Sequence, residues 1–191
     1  MASEIKVDTI SEKTSANGVT IDGVLIKDGA IPSVASTAFT ILDSFGMNGD
    51  LSSTGYITSW TAIADGGAAK HNIGSSMTES SGVFTFPETG IYKVEFWARI
   101  DYTYSSNINL NIDATGNNSS YSTIASGATA AGGNDDGVRQ FPYVAVYVDV
   151  SDVANVKIKF ETSGTYRTYT RVRGNGTSNE TNVRFTKVGS T

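Results

Sequence analysis

The 191-residue chain has no cysteine, one histidine and three prolines. Without cysteine there can be no disulfide, no thiolate zinc site and no cysteine nucleophile. Stability must come from core burial, from association of chains, or from both. Basic residues are outnumbered, 14 against 19 acidic ones, giving a net charge of −5 and a pI near 4.8. No polybasic run occurs, so neither nucleic acid nor an anionic membrane is an expected partner. Apolar runs are no longer than a strand, which excludes membrane insertion by an apolar helix. The opening MASEIKVDTI lacks a basic region followed by an apolar stretch, so no secretory signal is read there and synthesis in a cytoplasm is expected.

What is present is the vocabulary of an all-β protein. There are 20 glycines, and aromatic residues make up 10% of the chain. Thr, Ser, Asn and Gly crowd between short apolar segments. Residues 5 to 31 hold three turn dipeptides, Asn17-Gly18, Asp22-Gly23 and Asp28-Gly29, which supply the positive φ angles of tight hairpins. Ile5 and Val7 alternate with polar residues, and Ile10 follows. Val19 and Ile21 precede the Asp22-Gly23 turn, and Val24 and Ile26 follow it. A lone hairpin of this kind is marginal in water, so it needs a partner surface. Pro32 and the small residues after it read as a connector, dividing the chain into residues 1–35 and 36–191.

Longer strands follow. TAFTILDSF fits both helical and strand spacing, and its β-rich surroundings favour a strand. YITSWTAI, residues 56–63, reads as one strand. In GVFTFPETGIYKVEFWARID, residues 82–101, Tyr92, Val94, Phe96, Ala98 and Ile100 share one face, and Lys93, Glu95, Trp97, Arg99 and Asp101 share the other. The same alternation marks 107–113, 155–161 and the segment around Val183 and Phe185. Strand 141–150 differs. Val144, Val146, Val148 and Val150 face a core, yet Tyr143, Ala145 and Tyr147 make the opposite face apolar too. Such a strand needs a second surface to bury against, and another subunit would supply it. Trp97 joins this group, because aromatic residues are enriched at interface cores. About eight to ten strands and no ordinary helix point to a two-sheet sandwich or jelly roll.

The stretch from Gly82 to Ile100 resembles the globular heads of the C1q and tumour-necrosis-factor superfamily. Those heads carry G-x-F-x-x-P-x-x-G-x-Y-x-F, matched by Gly82, Phe84, Pro87, Gly90 and Tyr92, with Val94 in place of the last Phe. YVAVYVDVSDVANVKIKF, with Asp149 and Asp152 near its turn, is similar to a late strand–turn–strand of the family. This resemblance covers about residues 50–191 and implies a jelly-roll head that assembles as a homotrimer. The N-terminal segment, with EIKVDTI and NGVTIDGVLIKDG, resembles the opening of virion structural and fibre-like proteins of bacteriophages. That implies attachment to other virion proteins through residues 1–35 and location on a virus particle. In a trimer three copies of the hairpin strip would bury Val19, Ile21, Val24 and Ile26 against one another, aided by the high local concentration that tethering gives.

Chemistry is sparse. His71 permits a Ser-His-Asp set arithmetically, but no G-x-S-x-G elbow occurs, and it reads as a loop histidine. Paired carboxylates for polysaccharide cleavage do not stand out. GGNDDG offers Asn134, Asp135 and Asp136 as hard ligands for Ca2+, or simply a turn. No cofactor is implied. In TYRTYTRVRGNG, Arg167, Tyr169, Arg171 and Arg173 share a face if the segment is one strand, with Tyr166 beside them. They could hold a host cell-surface glycan or pair with acidic residues across a trimer interface. The expectation is thus an all-β, C1q/TNF-like jelly-roll head behind a short β-hairpin stem, trimeric and not an enzyme. Its candidate roles are a head fibre, decoration or short tail spike. The alternatives are a glycan-binding receptor protein of the tail and, third, a polysaccharide depolymerase.

Overall fold

The structure, a computed structural model, describes residues 19–21, 24–26, 39–66, 70–102, 106–131, 138–167, 169–177 and 180–191. The chain divides into two compact units, Met1–Thr37 and Ala38–Thr191. In the first, β1 (Val19–Ile21) and β2 (Val24–Ile26) form an antiparallel hairpin, with Ile21 opposite Val24 across the Asp22-Gly23 dipeptide. The stem candidates Ile5, Val7 and Ile10 lie outside the described residues.

The second unit, the head, is all-β, with no helix among its described residues. Its strands begin with β3 (Leu42–Met47), β4 (Gly55–Tyr56), β5 (Trp60–Ala62), β6 (Asn72–Ile73), β7 (Thr78–Ser80) and β8 (Val83–Thr85). The middle of the chain gives β9 (Gly90–Trp97), β10 (Arg99–Tyr102), β11 (Ser106–Thr115), β12 (Ser122–Ala131) and β13 (Val138–Gln140). The last are β14 (Tyr143–Val150), β15 (Lys157–Thr165), β16 (Arg171–Arg173) and β17 (Asn182–Gly189). One sheet runs β14-β9-β17-β3-β5, with β6 also on β3; the facing sheet runs β12-β11-β15-β8-β7, with β4 also on β15. A third, three-stranded sheet, β13-β10-β16, continues the first beyond a bend. At that bend Ala98 donates its amide to the carbonyl of Pro142 at 3.2 Å.

The alternation read between residues 92 and 101 is realised in full and extends to Tyr102. Tyr92, Val94, Phe96, Ala98, Ile100 and Tyr102 are buried, and the residues between them are part-exposed. Inward-facing aromatic rings fill the space between the sheets. Phe84 lies 5.1 Å from Phe45 and 5.4 Å from Phe160 edge-on, and Phe160 lies 5.1 Å from Phe96. Edge-to-face packing of this kind adds to the hydrophobic gain from burial. The Gly82-to-Tyr92 motif is a structural element of this core. Ser81 and Gly82, both at positive φ (51° and 82°), make the two-residue turn joining β7 to β8, a pattern matched to the twist of a hairpin. A Cβ at Gly82 would strike the carbonyl oxygen of Ile57. Two residues on, Phe84 enters the centre of the aromatic cluster, and Tyr92 donates its hydroxyl to the carbonyl of Glu88 at 3.0 Å.

Two strand expectations are corrected. Residues 56–63 are not one strand: β4 pairs with β15 in one sheet and β5 with β3 in the other. The chain crosses the sandwich between them, with Ile57 and Trp60 both buried in the core. The alternating strand expected from Tyr92 to Asp101 likewise divides at Ala98 into β9 and β10, while Pro87 and Gly90 bracket a turn between β8 and β9 as expected. TAFTILDSF does form a strand, from Leu42 onward, and Phe39 before it is exposed.

Asp43 is buried within β3 and accepts the amides of Met77 at 2.8 Å and Ser44 at 3.0 Å. Burial pushes its carboxyl above the ordinary value of 3.8, against the opposing pull of its hydrogen-bond donors, Met77 foremost. A carboxyl raised in the folded state contributes fully below its unfolded value and loses that contribution as pH climbs through the raised one. The stability of the parent chain relative to Asp43→Asn should therefore fall as pH rises above about 4, which thermal melts of both chains will show. Phe84→Ala should cost about 3–5 kcal/mol in denaturant melts, because it opens a cavity at the centre of the ring cluster.

Candidate functional site

The outward face of the first sheet carries the surface that the sequence marks as lacking a partner. Across β14, β9 and β17, Tyr143 stands opposite Trp97 and Asn182, Ala145 opposite Glu95 and Arg184, and Tyr147 opposite Lys93 and Thr186. Tyr143 is 51% exposed and Tyr147 66%, while Val144, Val148 and Val150 on the other side of the same strand are buried. Trp97 and Ala145 are half-buried. This face has polar ties among its rings. Tyr143 donates its hydroxyl to Glu95 at 2.7 Å, Lys93 bonds the same carboxylate oxygen at 2.7 Å, and the Arg184 guanidinium lies 5.3 Å from the centre of the Trp97 ring. The bond to Glu95 is the main cause that raises the Tyr143 phenol above its ordinary value.

Beside this face the edges of the two sheets, β12 and β14, first touch and then splay. They touch at Gly127, where a Cβ would lie 3.0 Å from the Tyr143 carbonyl oxygen and 3.3 Å from the Val144 Cβ. They splay around an open cleft of about 370 Å3 lined by Ala114, Ile124, Val146, Tyr147 and Val156, among others. Ile124 is 40% exposed there. An exposed aromatic face thus adjoins an apolar edge cleft on the same side of the head.

The Tyr/Arg segment 165–176 is not one strand, and the common face expected for Arg167, Tyr169, Arg171 and Arg173 is not formed. Thr165 ends β15, and Arg171–Arg173 forms the separate β16. Tyr169 takes a φ of 66° in a turn closed by the Thr170 amide on the Arg167 carbonyl at 3.0 Å. Tyr166 is half-buried, its hydroxyl donates to Thr162 at 2.9 Å, and burial pushes its phenol up to about 12. Arg173 pairs within its own chain, with Asp50 and, at 3.4 Å, with Asp101. Arg167 and Tyr169 are exposed.

The Ca2+ candidates Asn134, Asp135 and Asp136 lie outside the described residues. Val19, Ile21, Val24 and Ile26 sit in the β1–β2 hairpin. His71 lies in a turn that Asp65 organises by accepting the amides of His71 at 2.6 Å and Asn72 at 3.2 Å and the Lys70 ammonium at 2.7 Å. These bonds, the His71 amide first, bring the Asp65 carboxyl down to about 2. The His71 side chain has its Nδ1 without a partner and is joined to no serine hydroxyl by any bond among the described residues. Asp152, expected near a turn, closes it by accepting the Ala154 amide and the Asn155 side chain, both at 2.7 Å.

Two features were not visible in the sequence. The first is β12, STIASGATAA, whose small residues give no alternation to read. The second is a set of ion pairs on the three-stranded sheet. Arg99 binds both oxygens of Asp101 at 3.0 Å and Glu180 at 2.9 Å, and Arg139 approaches Asp101 at 3.7 Å. The alternation Arg99, Asp101 and Arg171, Arg173 was the available signal; the pairing of β10 with β13 and β16 was not.

No family model matches the chain, and no curated protein matches it. Solved structures do. Murine APRIL at pH 5.0 superposes with a TM-score of 0.58 at 10% identity, covering 78% of this chain and 99% of that one. Eiger TNF from S. frugiperda gives 0.54 at 16% identity, covering 80% of this chain and 94% of that one. The head is a TNF-like jelly roll.

Gly127→Val should destabilise the head by about 1–3 kcal/mol, since the added methyl groups have no room between β12 and β14. Denaturant unfolding of the variant measures this.

Proposed function

We propose that the chain is a non-enzymatic structural protein of a bacteriophage particle, a homotrimer that displays a jelly-roll head and attaches by its N-terminal segment. The observation that carries the trimer is the outward face of β14. Two tyrosines stand exposed on a strand whose other face is already in the core, and an apolar edge cleft lies beside them. A face and an edge on one subunit are the two halves of a head-to-tail contact, which forms a closed ring when the rotation returns to its start. Trp97, Tyr143, Ala145 and Tyr147 would lie in that contact, with Ile124 and Val146 of the neighbour opposite. The resemblance of the head to C1q and TNF heads, which assemble in threes, favours closure at three. Within such a trimer three stems share one local volume, and burial of each large aliphatic side chain is worth about 1.5–3 kcal/mol. Attachment to a virion rests on the resemblance of the first 35 residues.

A second reading, a receptor-binding protein of the tail that grips host glycan, draws support from the arginine-bearing sheet β13-β10-β16.

Sedimentation of the purified chain at micromolar concentration should give a trimer. Tyr147→Glu, which places a charge on the exposed face without touching the core, should give a folded monomer with the head's melting transition retained. A parent chain that sediments as a monomer overturns the trimer. Antibody against the head should label intact particles. Particles without the protein that adsorb normally would leave decoration as the role, and loss of adsorption would favour the receptor-binding one.

A further inference from the structure

The sheet β13-β10-β16 has one face in the core and one outside. Ile100, Tyr102 and Val172 are buried. The alternate residues, Arg139, Arg99, Asp101, Arg171 and Arg173, therefore share the outward face. The register sets Arg139 and Arg171 on either side of Asp101, with Arg99 opposite Arg173 in the adjacent row. Four of the chain's six arginines thus occupy one patch of three short strands. At about 4.8 Å between strands, the outer two are roughly 10 Å apart.

The acidic residues around this patch do not use all of its donors. Asp101 and Glu180 occupy Arg99, and Asp50 and Asp101 occupy Arg173. Among the described residues Arg139 meets only Asp101, at 3.7 Å, and its side chain is 65% exposed. Arg171 donates to the Thr170 carbonyl at 2.8 Å and meets no carboxylate among the described residues. Among the described residues, four arginines against three carboxylates leave a local positive excess, on a chain whose net charge is −5. Asp101, bound at both oxygens by Arg99, is neutralised and fixed, so it spaces the two outer guanidiniums without using up their forks.

We propose that this face binds the acid groups of a cell-surface polysaccharide, with Arg139 and Arg171 as the recognising residues. A guanidinium fork matches a carboxylate or sulfate by two parallel hydrogen bonds. Tyr169, two residues before Arg171 and 68% exposed, offers a ring to an adjoining sugar. Acid groups spaced along a glycan suit a patch about 10 Å wide on an acidic protein. A nucleic acid, with a charge every ~1.7 Å of duplex, would be repelled by the rest of the surface. The site lies in a single head and does not depend on the trimer or the virion role.

The test uses the full chain and beads carrying polygalacturonate, with neutral dextran beads as reference, at low ionic strength. The parent chain should be retained on polygalacturonate, not on dextran, and released by salt. The double substitution Arg139→Ala/Arg171→Ala should weaken retention about tenfold or more, the loss expected for charge-assisted hydrogen bonds, with the melting transition and sedimentation unchanged. Lys70→Ala, which removes one positive charge from a turn outside the patch, should leave retention as it was, and Arg139→Ala, which removes one from within it, should weaken retention. The proposal is overturned if the parent chain binds neither polygalacturonate nor dextran sulfate. It is equally overturned if the double variant binds as well as the parent, or if single-stranded DNA competes as effectively as the free polysaccharide. None of these outcomes bears on the oligomeric state, which sedimentation decides separately.

Discussion

The head depends on aromatic rings meeting between two sheets. Phe45, Phe84, Phe96, Phe160 and Phe185, with Trp60, come from six different strands and form one contact set. With no disulfide to tie the chain, this set is what fixes the two sheets against one another. The motif from Gly82 to Tyr92 serves the same end. Its glycine makes the turn, its Phe84 enters the cluster, and its tyrosine hydroxyl anchors the chain before β9. The motif is therefore a statement about packing and carries no catalytic content.

The parts of this architecture that could be read in advance are those where one face is wet and the other dry. In β9, β11, β15 and β17 the side-chain period of two is visible because water and core impose opposite demands on neighbouring residues. The period fails where those demands relax. In β12, an edge strand of Ser, Ala, Thr and Gly, little distinguishes the two faces. It fails differently between Tyr56 and Trp60, where no glycine or proline marks a break although the chain passes from one sheet to the other. Continuity of composition was there mistaken for continuity of a strand.

The candidate surfaces divide on similar lines. The unpartnered tyrosines of β14 were legible because a strand apolar on both sides is conspicuous in one dimension. The arginine patch was not, since Arg139, Arg99 and Arg171 stand 40 and 72 residues apart in neighbouring strands. The TYRTYTRVR segment attracted notice for its local density, yet Tyr166 turns inward and Arg173 is held by Asp50. What the segment contributes is Arg171 and Arg173, as members of a group assembled by the sheet, with Tyr169 beside them.

The position of β17 has a bearing on biosynthesis. It lies between β9 and β3 and hydrogen-bonds to both, although it follows every other strand of the head in chain order. The middle of the first sheet therefore stays vacant until this segment has left the ribosome, and pairings of such long sequence separation form slowly. The β1–β2 hairpin needs only neighbours in sequence. A nascent chain would thus carry its local hairpin well before the head could close, and loss of β17 would cost the centre of a sheet and not merely its margin.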